Sequence, residues 1–298
     1  MSNSTAGLAH KIDSAGDLQG VVRTMKALAA SSIGQYERSV LALADYYRAV
    51  ELGLAACFRD AELVAATMQR QKRADVGAIR AVVFGSDQGL VGQFNDVVVD
   101  YAIRTLADGS HTPQIWAVGE RVQARLSDAG LPPVGVFTVP NSIDAITPLI
   151  GQILIADDTR HGEAGELFLF HNRPTTGAIY APVSLRLLPL DQIWLRKLAE
   201  LPWPSGNLPE ILGQDTSALR SLIHEYLFIS LFRACAESLA AENASRLAAM
   251  QRADRNIEEL LENLQSTFHR LRQSDIDEEL FDVISGFEAL ILPSIRMP

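Results

Sequence analysis

The chain carries 298 residues, 48% of them hydrophobic and 21% charged, with a formal net charge of −10. That hydrophobic content excludes general disorder, and no apolar run reaches the roughly 18 residues expected of a membrane span. The acidic balance argues against a nucleic-acid partner, whose phosphates demand basic surfaces, while the length admits a domain plus an extension.

Residues 1–16 lack the basic start and apolar core of a secretory signal, which predicts a cytoplasmic protein. From there Leu18, Val22, Met25, Ala29, Tyr36, Val40, Leu43, Tyr47, Val50, Leu54 and Cys57 alternate steps of four and three. That is the period of a coiled coil. Between Leu18 and Arg73 only Gly20, Gly34 and Gly53 interrupt, and alanines crowd the run. Alanine favours the helix and lets two backbones approach closely. The pattern predicts a long helix in an N-terminal segment spanning residues 1–75.

Between residues 76 and 190 the pattern changes to short apolar strands separated by turns and helices. Residues 81–84, 115–118, 134–139, 167–170 and 183–188 read as strands, and 96–106, 120–129 and 143–155 as helices. Such alternation implies a mainly parallel sheet covered on both faces. After the first strand comes Gly85-Ser86-Asp87-Gln88-Gly89-Leu90-Val91-Gly92-Gln93-Phe94-Asn95. This strand-to-helix position is where phosphate loops occur, yet the spacing is neither Gly-x-Gly-x-x-Gly nor a P-loop, and the phosphate-reaching lysine is absent. The expected role is a structural turn in which Gly85, Gly89 and Gly92 supply positive φ.

A breaker-rich linker, residues 191–213 with Pro202, Pro204, Gly206, Pro209 and Gly213, leads to the last segment, 214–298, with Asp215, Thr216 or Ser217 available as a cap. From Gln214 to Ser285 about 72 residues pass without proline or glycine. At 1.5 Å per residue this helix would approach ~110 Å, against ~50 Å for a compact domain of this size, so part of it projects. Leu222, Tyr226, Ile229, Ala236, Ala240, Leu247, Met250, Ile257, Leu261, Leu264, Phe268 and Leu271 form its stripe. Arg233, Asn243 and Asp254 fall on the same line, where they weaken the seam or mark the helix leaving its neighbour. Because the two helices bracket the chain around a middle domain, antiparallel pairing follows. Cys57 and Cys235 each sit on a predicted helix and read as packing residues.

No catalytic constellation emerges. The six histidines, His10, His111, His161, His171, His224 and His269, are scattered without metal-ligand spacing, and Cys-x-x-Cys and Gly-x-Ser-x-Gly are absent. An independent enzyme is not expected, nor a cofactor. Acidic residues gather at Asp275, Asp277, Glu278, Glu279, Asp282 and Glu288, as a solvated face or as a contact surface for basic groups.

Several stretches carry a family resemblance. Ile12-Asp13-Ser14 and Val22-Arg23-Thr24-Met25-Lys26-Ala27-Leu28-Ala29-Ala30-Ser31, the 85–95 turn with Gly85, Asp87, Gly89, Gly92 and Asn95, and residues 237–250 ending Ala244-Ser245-Arg246-Leu247-Ala248-Ala249-Met250 are the main ones. Arg272-Gln273, Glu279 and Ser285-Gly286 complete the set. Together they resemble the gamma subunit of F-type rotary ATP synthases, over nearly the whole chain and more weakly between 107 and 165. The resemblance implies an α/β protein: a long antiparallel coiled coil of N- and C-terminal helices with an inserted Rossmann-like domain. It implies a central-stalk shaft turning inside a ring of alpha and beta subunits, bound below to epsilon and the membrane c-ring, on the cytoplasmic side of the cell membrane. It further implies beta-subunit contacts at Met25, Arg246, Gln273 and Glu279. Met25 by itself reads as a seam residue and Arg246 as a solvated arginine.

Departures from the family pattern stand at Asp277 for threonine, Phe287 for alanine, Val91 for cysteine, Ser32 for lysine and Gln88 for arginine. The apolar continuation Leu290-Ile291-Leu292-Pro293 to Pro298 is another. They suggest a divergent member, such as the gamma of a second, alternate rotary ATPase. Two other classes compete: a coiled-coil adaptor without a rotary role, and a nucleotide-binding enzyme using the 85–92 turn. An adaptor would dispense with Arg246 and Gln273, and an enzyme would bind nucleotide as a monomer.

Overall fold

The computed structural model describes residues 4–59, 78–107, 112–161, 165–176, 179–190, 194, 198, 200, 203–205, 207 and 217–291, with 158–161 and 288–291 described by their backbone alone. The helix expected between 60 and 73, most of the linker, the caps Asp215 and Thr216 and the tip beyond Ile291 lie outside the described residues. Two compact units emerge, residues 1–28 with 248–298, and residues 29–247.

The elements in chain order are helices α1 (Thr5–Ala42) and α2 (Ala44–Phe58), strand β1 (Ile79–Phe84), α3 (Phe94–Leu106), β2 (Gln114–Val118), α4 (Glu120–Asp128) and β3 (Gly135–Phe137). They continue with α5 (Ile146–His161), β4 (Glu166–Arg173), β5 (Ala181–Leu188) and α6 (Ser217–Ile291). The single helix expected near the N-terminus is divided at Leu43. There the Ser39 hydroxyl donates to the Tyr36 carbonyl at 2.7 Å, and the following Leu43 N–H reaches Ser39 O at a long 3.3 Å. A serine that bonds back into its own helix in this way loosens and bends the ladder.

In the first unit the buried line on α1 is Leu8, Ala15 and Val22, spaced by seven. Val22, Met250 and Ile257 form a small core with Met25, Ala249, Ala253 and Leu261 packed on it. Leu18, expected in the seam, is 54% exposed. The seam passes instead through Ile12, Ala15 and Gln19: the buried Leu8, Ala15 and Val22 recur every seven residues, and the partly covered Ile12 and Gln19 stand four after Leu8 and Ala15, whereas the step of four back from Val22 points to Leu18.

In the second unit one sheet of order β3-β2-β1-β4-β5 forms the centre. The first four strands are parallel, and β5 runs antiparallel to β4. Period-two alternation splits the sheet's side chains between two cores. Ala81, Val83, Ile115, Ala117 and Phe170 pack against α3 and α4. On the opposite face Val82, Phe84, Trp116, Leu167 and Leu169 join α5, α2 and the first half of α6. Fully buried side chains such as Trp116, Phe84 and Phe170 each contribute about 2–3 kcal/mol of transfer free energy. Against α6 the helix α2 runs antiparallel, with Tyr46 donating to Glu225 at 2.6 Å while Gly53 sits opposite Leu222. A Cβ on Gly53 would lie 2.8 Å from Leu222 Cδ2, so this glycine permits the close approach of the two helices. Both cysteines are buried thiols outside any disulfide, as packing residues should be.

Within the sheet's interior lies an ion pair that hydrophobic patterning does not announce. Arg80 of β1 is fully buried, and its Nη1 donates to both Asp157 oxygens at 2.8 Å.

Candidate functional site

The 85–95 segment leaves β1 and enters α3 as a turn wired on every side. Ser86 N–H donates to Asn95 Oδ1 at 3.0 Å, and Asn95 Nδ2 returns a bond to Ser86 Oγ at 2.9 Å. Asp87 accepts from the N–H of Glu120 at 3.0 Å and from that of Val139 at 2.9 Å. It thereby satisfies an orphan donor at the start of α4 and lends a negative charge to that helix's positive end. Arg121 N–H donates to Ser86 O at 2.9 Å. The Ser86 amide, which a phosphate loop would turn toward its ligand, is taken by Asn95.

The glycines divide the expected labour differently. Gly92 does adopt positive φ, at +58°. Gly85 instead lacks room, since a Cβ would stand 2.4 Å from Val122 Cβ and 2.6 Å from Asn95 Oδ1. Gly89 has neither constraint, and the left-handed conformation beside it falls on Leu90, at φ 63°. Asn95 holds the turn's two ends together, and Asp87 ties it to the segment just after β3 and to α4.

This turn docks on α6. Val91, Phe94 and Ala241 form a local core with Tyr180, whose ring meets Phe94 edge-on at 5.3 Å. Ser245 Oγ donates to Val91 O at 2.7 Å. Replacing Ser245 with Ala strands that buried carbonyl and is expected to cost about 1–2 kcal/mol, checked as a lowered urea midpoint of the intact chain. The next residue, Arg246, donates from Nη2 to Glu242 Oε1 one turn back at 2.6 Å. With its side chain only 13% exposed, Arg246 is not the solvated arginine that its sequence context suggests. Burial raises the Glu242 carboxyl above its usual range, Arg246 pulls it back, and nearby Asp87 adds to the rise.

A second polar node joins β4 to α6. Glu237 accepts from His171 Nε2 at 2.8 Å, from Arg173 Nε at 2.6 Å and from Arg233 Nε at 2.8 Å. Arg233, expected to weaken the stripe, is thus half of an i,i+4 pair. Burial raises the Glu237 carboxyl, and the hydrogen bonds from His171, Arg173 and Arg233 outweigh it, bringing the group down to about 2. His171 is lowered, first by burial and then by the arginines, while Glu237 pulls it upward. Its Nδ1 is buried with no partner among the described residues, so a second ring proton would have nowhere to go.

Both shifts act in the same direction on stability. The unfolded chain binds more protons than the fold as pH drops below 6.5 at His171, and below 4.5 at Glu237. Stability is therefore complete at neutral pH and is lost through these windows, the Glu237 share vanishing as pH approaches 2. Glu237→Gln is expected to cost roughly 2–3 kcal/mol at pH 7, after screening by the half-exposed arginines, and to flatten the acid limb below pH 4.5. Denaturant midpoints measured from pH 7 to pH 3 on both proteins check this.

The four side chains expected to meet a beta subunit are spread along α1 and α6. Met25 packs on the Val22, Met250 and Ile257 core of the first unit, while Gln273 and Glu279 stand exposed on α6. Arg246 belongs to the second unit, locked to Glu242. Sequence reading missed the Glu237 node. Its one legible sign was the polar run His171-Asn172-Arg173 at the end of an otherwise apolar strand. Asp254, expected as a flaw in the stripe, instead accepts from Lys26 Nζ at 2.6 Å and from Arg23 Nε at 3.3 Å.

The model of the ATP synthase family matches residues 4–290. An ATP synthase gamma chain of Syntrophus aciditrophicus (strain SB) is 30% identical over 226 residues, covering 71% of this chain and 73% of the relative. One from Hydrogenobaculum sp. (strain Y04AAS1) is 28% identical over 226 residues, 74% of this chain and 76% of the relative. Among solved structures, a chain of the Euglena gracilis mitochondrial ATP synthase, OSCP/F1/c-ring in rotational state 3, superposes with a TM-score of 0.65 at 16% identity. That match covers 99% of this chain and 97% of the other. A chain of the Tetrahymena thermophila mitochondrial ATP synthase central stalk and c-ring gives 0.50 at 18% identity, covering 78% and 99%.

Proposed function

Because the chain belongs to the ATP synthase gamma family, we propose that it is the central-stalk rotor of a rotary ATPase, meeting the beta subunits through Met25, Arg246, Gln273 and Glu279. It is a non-catalytic subunit. The observation that carries the reading is the state of α6 near its end. The helix continues to Ile291, yet every described side chain from 272 to 287 is exposed. Ile276, Leu280, Phe281, Val283, Ile284 and Phe287 are among them, Phe281 at 71%. Large apolar side chains held in open water on a rigid helix fit a surface that works inside a partner. A collar formed by the alpha and beta ring supplies that cover.

The partners in this reading are the alpha and beta subunits, epsilon and the membrane c-ring. The protein acts at the cytoplasmic face of the membrane, held there through the complex. Among the described residues no helix is long and apolar enough to cross a membrane, which agrees with attachment through partners. We take the coupled ion to be the proton, and ATP-driven uptake that requires sodium would overturn that choice.

Co-expression with cognate alpha and beta subunits tests the reading. A single large particle whose ATPase activity depends on this chain is the expected result, and ring assembly that leaves the chain to elute alone sinks it. In the reconstituted complex, Arg246→Lys with Gln273→Ala is expected to lower ion pumping per ATP hydrolysed. Lysine at 246 keeps a cation for the buried Glu242 but loses the two-pronged geometry of a guanidinium.

A further inference from the structure

The geometry points to Asp254 as the residue that fixes the register of α1 against α6 and thereby positions Met25. Along α6 the line Met250, Asp254, Ile257, Leu261 follows steps of four, three and four, so Asp254 occupies a seam position flanked by apolar neighbours. Its side chain is only 15% exposed. Each carboxylate oxygen takes one cation from α1: Oδ1 takes Arg23 Nε at 3.3 Å, and Oδ2 takes Lys26 Nζ at 2.6 Å. The two donors lie three residues apart and straddle Met25, which packs on the core directly beneath them.

A coiled coil of repeating apolar layers tolerates a slip of one heptad, and a single polar seam residue removes that freedom when only one register satisfies it. This chain meets the condition. Seven residues before the Arg23 and Lys26 pair stand Gly16 and Gln19, and seven after stand Ala30 and Ile33. Neither shifted register offers Asp254 a cation. From the other side, Leu247 and Leu261 lie one heptad away on α6, and either would face the two charges with a leucine. The correct register is selected by the cost of every other one. The hydrogen bonds from Lys26 and Arg23 keep the Asp254 carboxyl below its ordinary range, so the anion persists through neutral and mildly acidic conditions. As a positioning residue Asp254 acts through α1, presenting Met25 and Lys26 at one height on the shaft. That functional consequence rests on the rotor reading, while the register itself does not.

The test places spin labels on exposed positions of the same unit that are well separated along its axis, through Asp17→Cys and Glu278→Cys in the full chain, and measures their separation by pulsed dipolar spectroscopy. The parent is expected to give one narrow distance. Asp254→Asn, isosteric and uncharged, is expected to broaden it or add a population displaced by about 10 Å, the rise of one heptad. Asp254→Lys combined with Arg23→Glu and Lys26→Glu, which reverses the charges in place, is expected to restore the single distance. An unchanged narrow distribution in Asp254→Asn overturns the proposal whatever the other variants do. In the assembled complex, Asp254→Asn is expected to lower pumping per ATP, and the charge-reversed chain is expected to recover part of it. If the parent chain fails to enter the ring, the rotor reading fails while the distance measurement still decides the register.

Discussion

Asp157→Asn is expected to destabilise the α/β unit by about 3–5 kcal/mol, the usual cost of removing one partner of a buried ion pair. Arg80 is 0% exposed and lies on the sheet face that also carries Val82 and Phe84, opposite α5. Its Nε and Nη2 already lack partners among the described residues, so the two bonds from Nη1 to Asp157 provide its compensation. An amide at 157 removes the countercharge and turns one donor toward another. Replacing both partners, Arg80→Met with Asp157→Leu, should return most of the loss, because a well-packed apolar pair incurs no desolvation cost. Thermal unfolding of the three proteins checks the pattern, and a double variant as unstable as Asp157→Asn would show that the pair is not the cause.

Gly119→Ala is expected to cost about 3–5 kcal/mol, from left-handed strain and overpacking together. The residue sits at φ +119°, and its Cβ would fall 2.7 Å from Ser86 O and 2.8 Å from Ser86 C. Neither atom can rotate away, since both belong to backbone held by Arg121 N–H and Asn95. The 85–95 turn would have to lift from α4, weakening its seat on Ser245. Gly89→Ala is the control: only Arg121 Nη2, at 3.8 Å, lies near, and its stability should stay within ~0.5 kcal/mol of the parent. Equal losses at the two glycines, read from urea midpoints, would refute the steric account.

Much of this architecture is written in periodicity. Tyr226, Ile229, Ala236, Ala240, Met250 and Ile257 of the stripe are buried where the spacing puts them, with Leu247 partly covered, and all five strands lie where alternating apolar runs and turn residues placed them. Those signals are local, recording which face of an element meets the core. What escaped them depends on partners distant in the chain. Leu18 and Gln19 differ by one position, and only the line through Val22 and Ala15 decides which faces inward. Positive φ passed from Gly89 to Leu90 because the turn's path is set by Asp87 and Asn95 reaching across it. Arg80 with Asp157, and His171 with Glu237, are 77 and 66 residues apart, and no spacing rule joins them. Arg246 was singled out through resemblance, but its embrace by Glu242 became visible only once side chains were placed.

The fading burial of α6 has a practical consequence for amide hydrogen exchange. The same uninterrupted helix is packed at Ile229, Ala236 and Ala240, half-covered at Leu261 and Leu264, and bare from Arg272 to Phe287. Backbone amides in such a helix open progressively from the uncovered end. The free chain should then exchange fastest beyond residue 271 and slowest near 236. Any slowing gained there on assembly must come from the partner alone, which makes the helix beyond residue 271 a built-in gauge of where, and how tightly, the surrounding subunits grip.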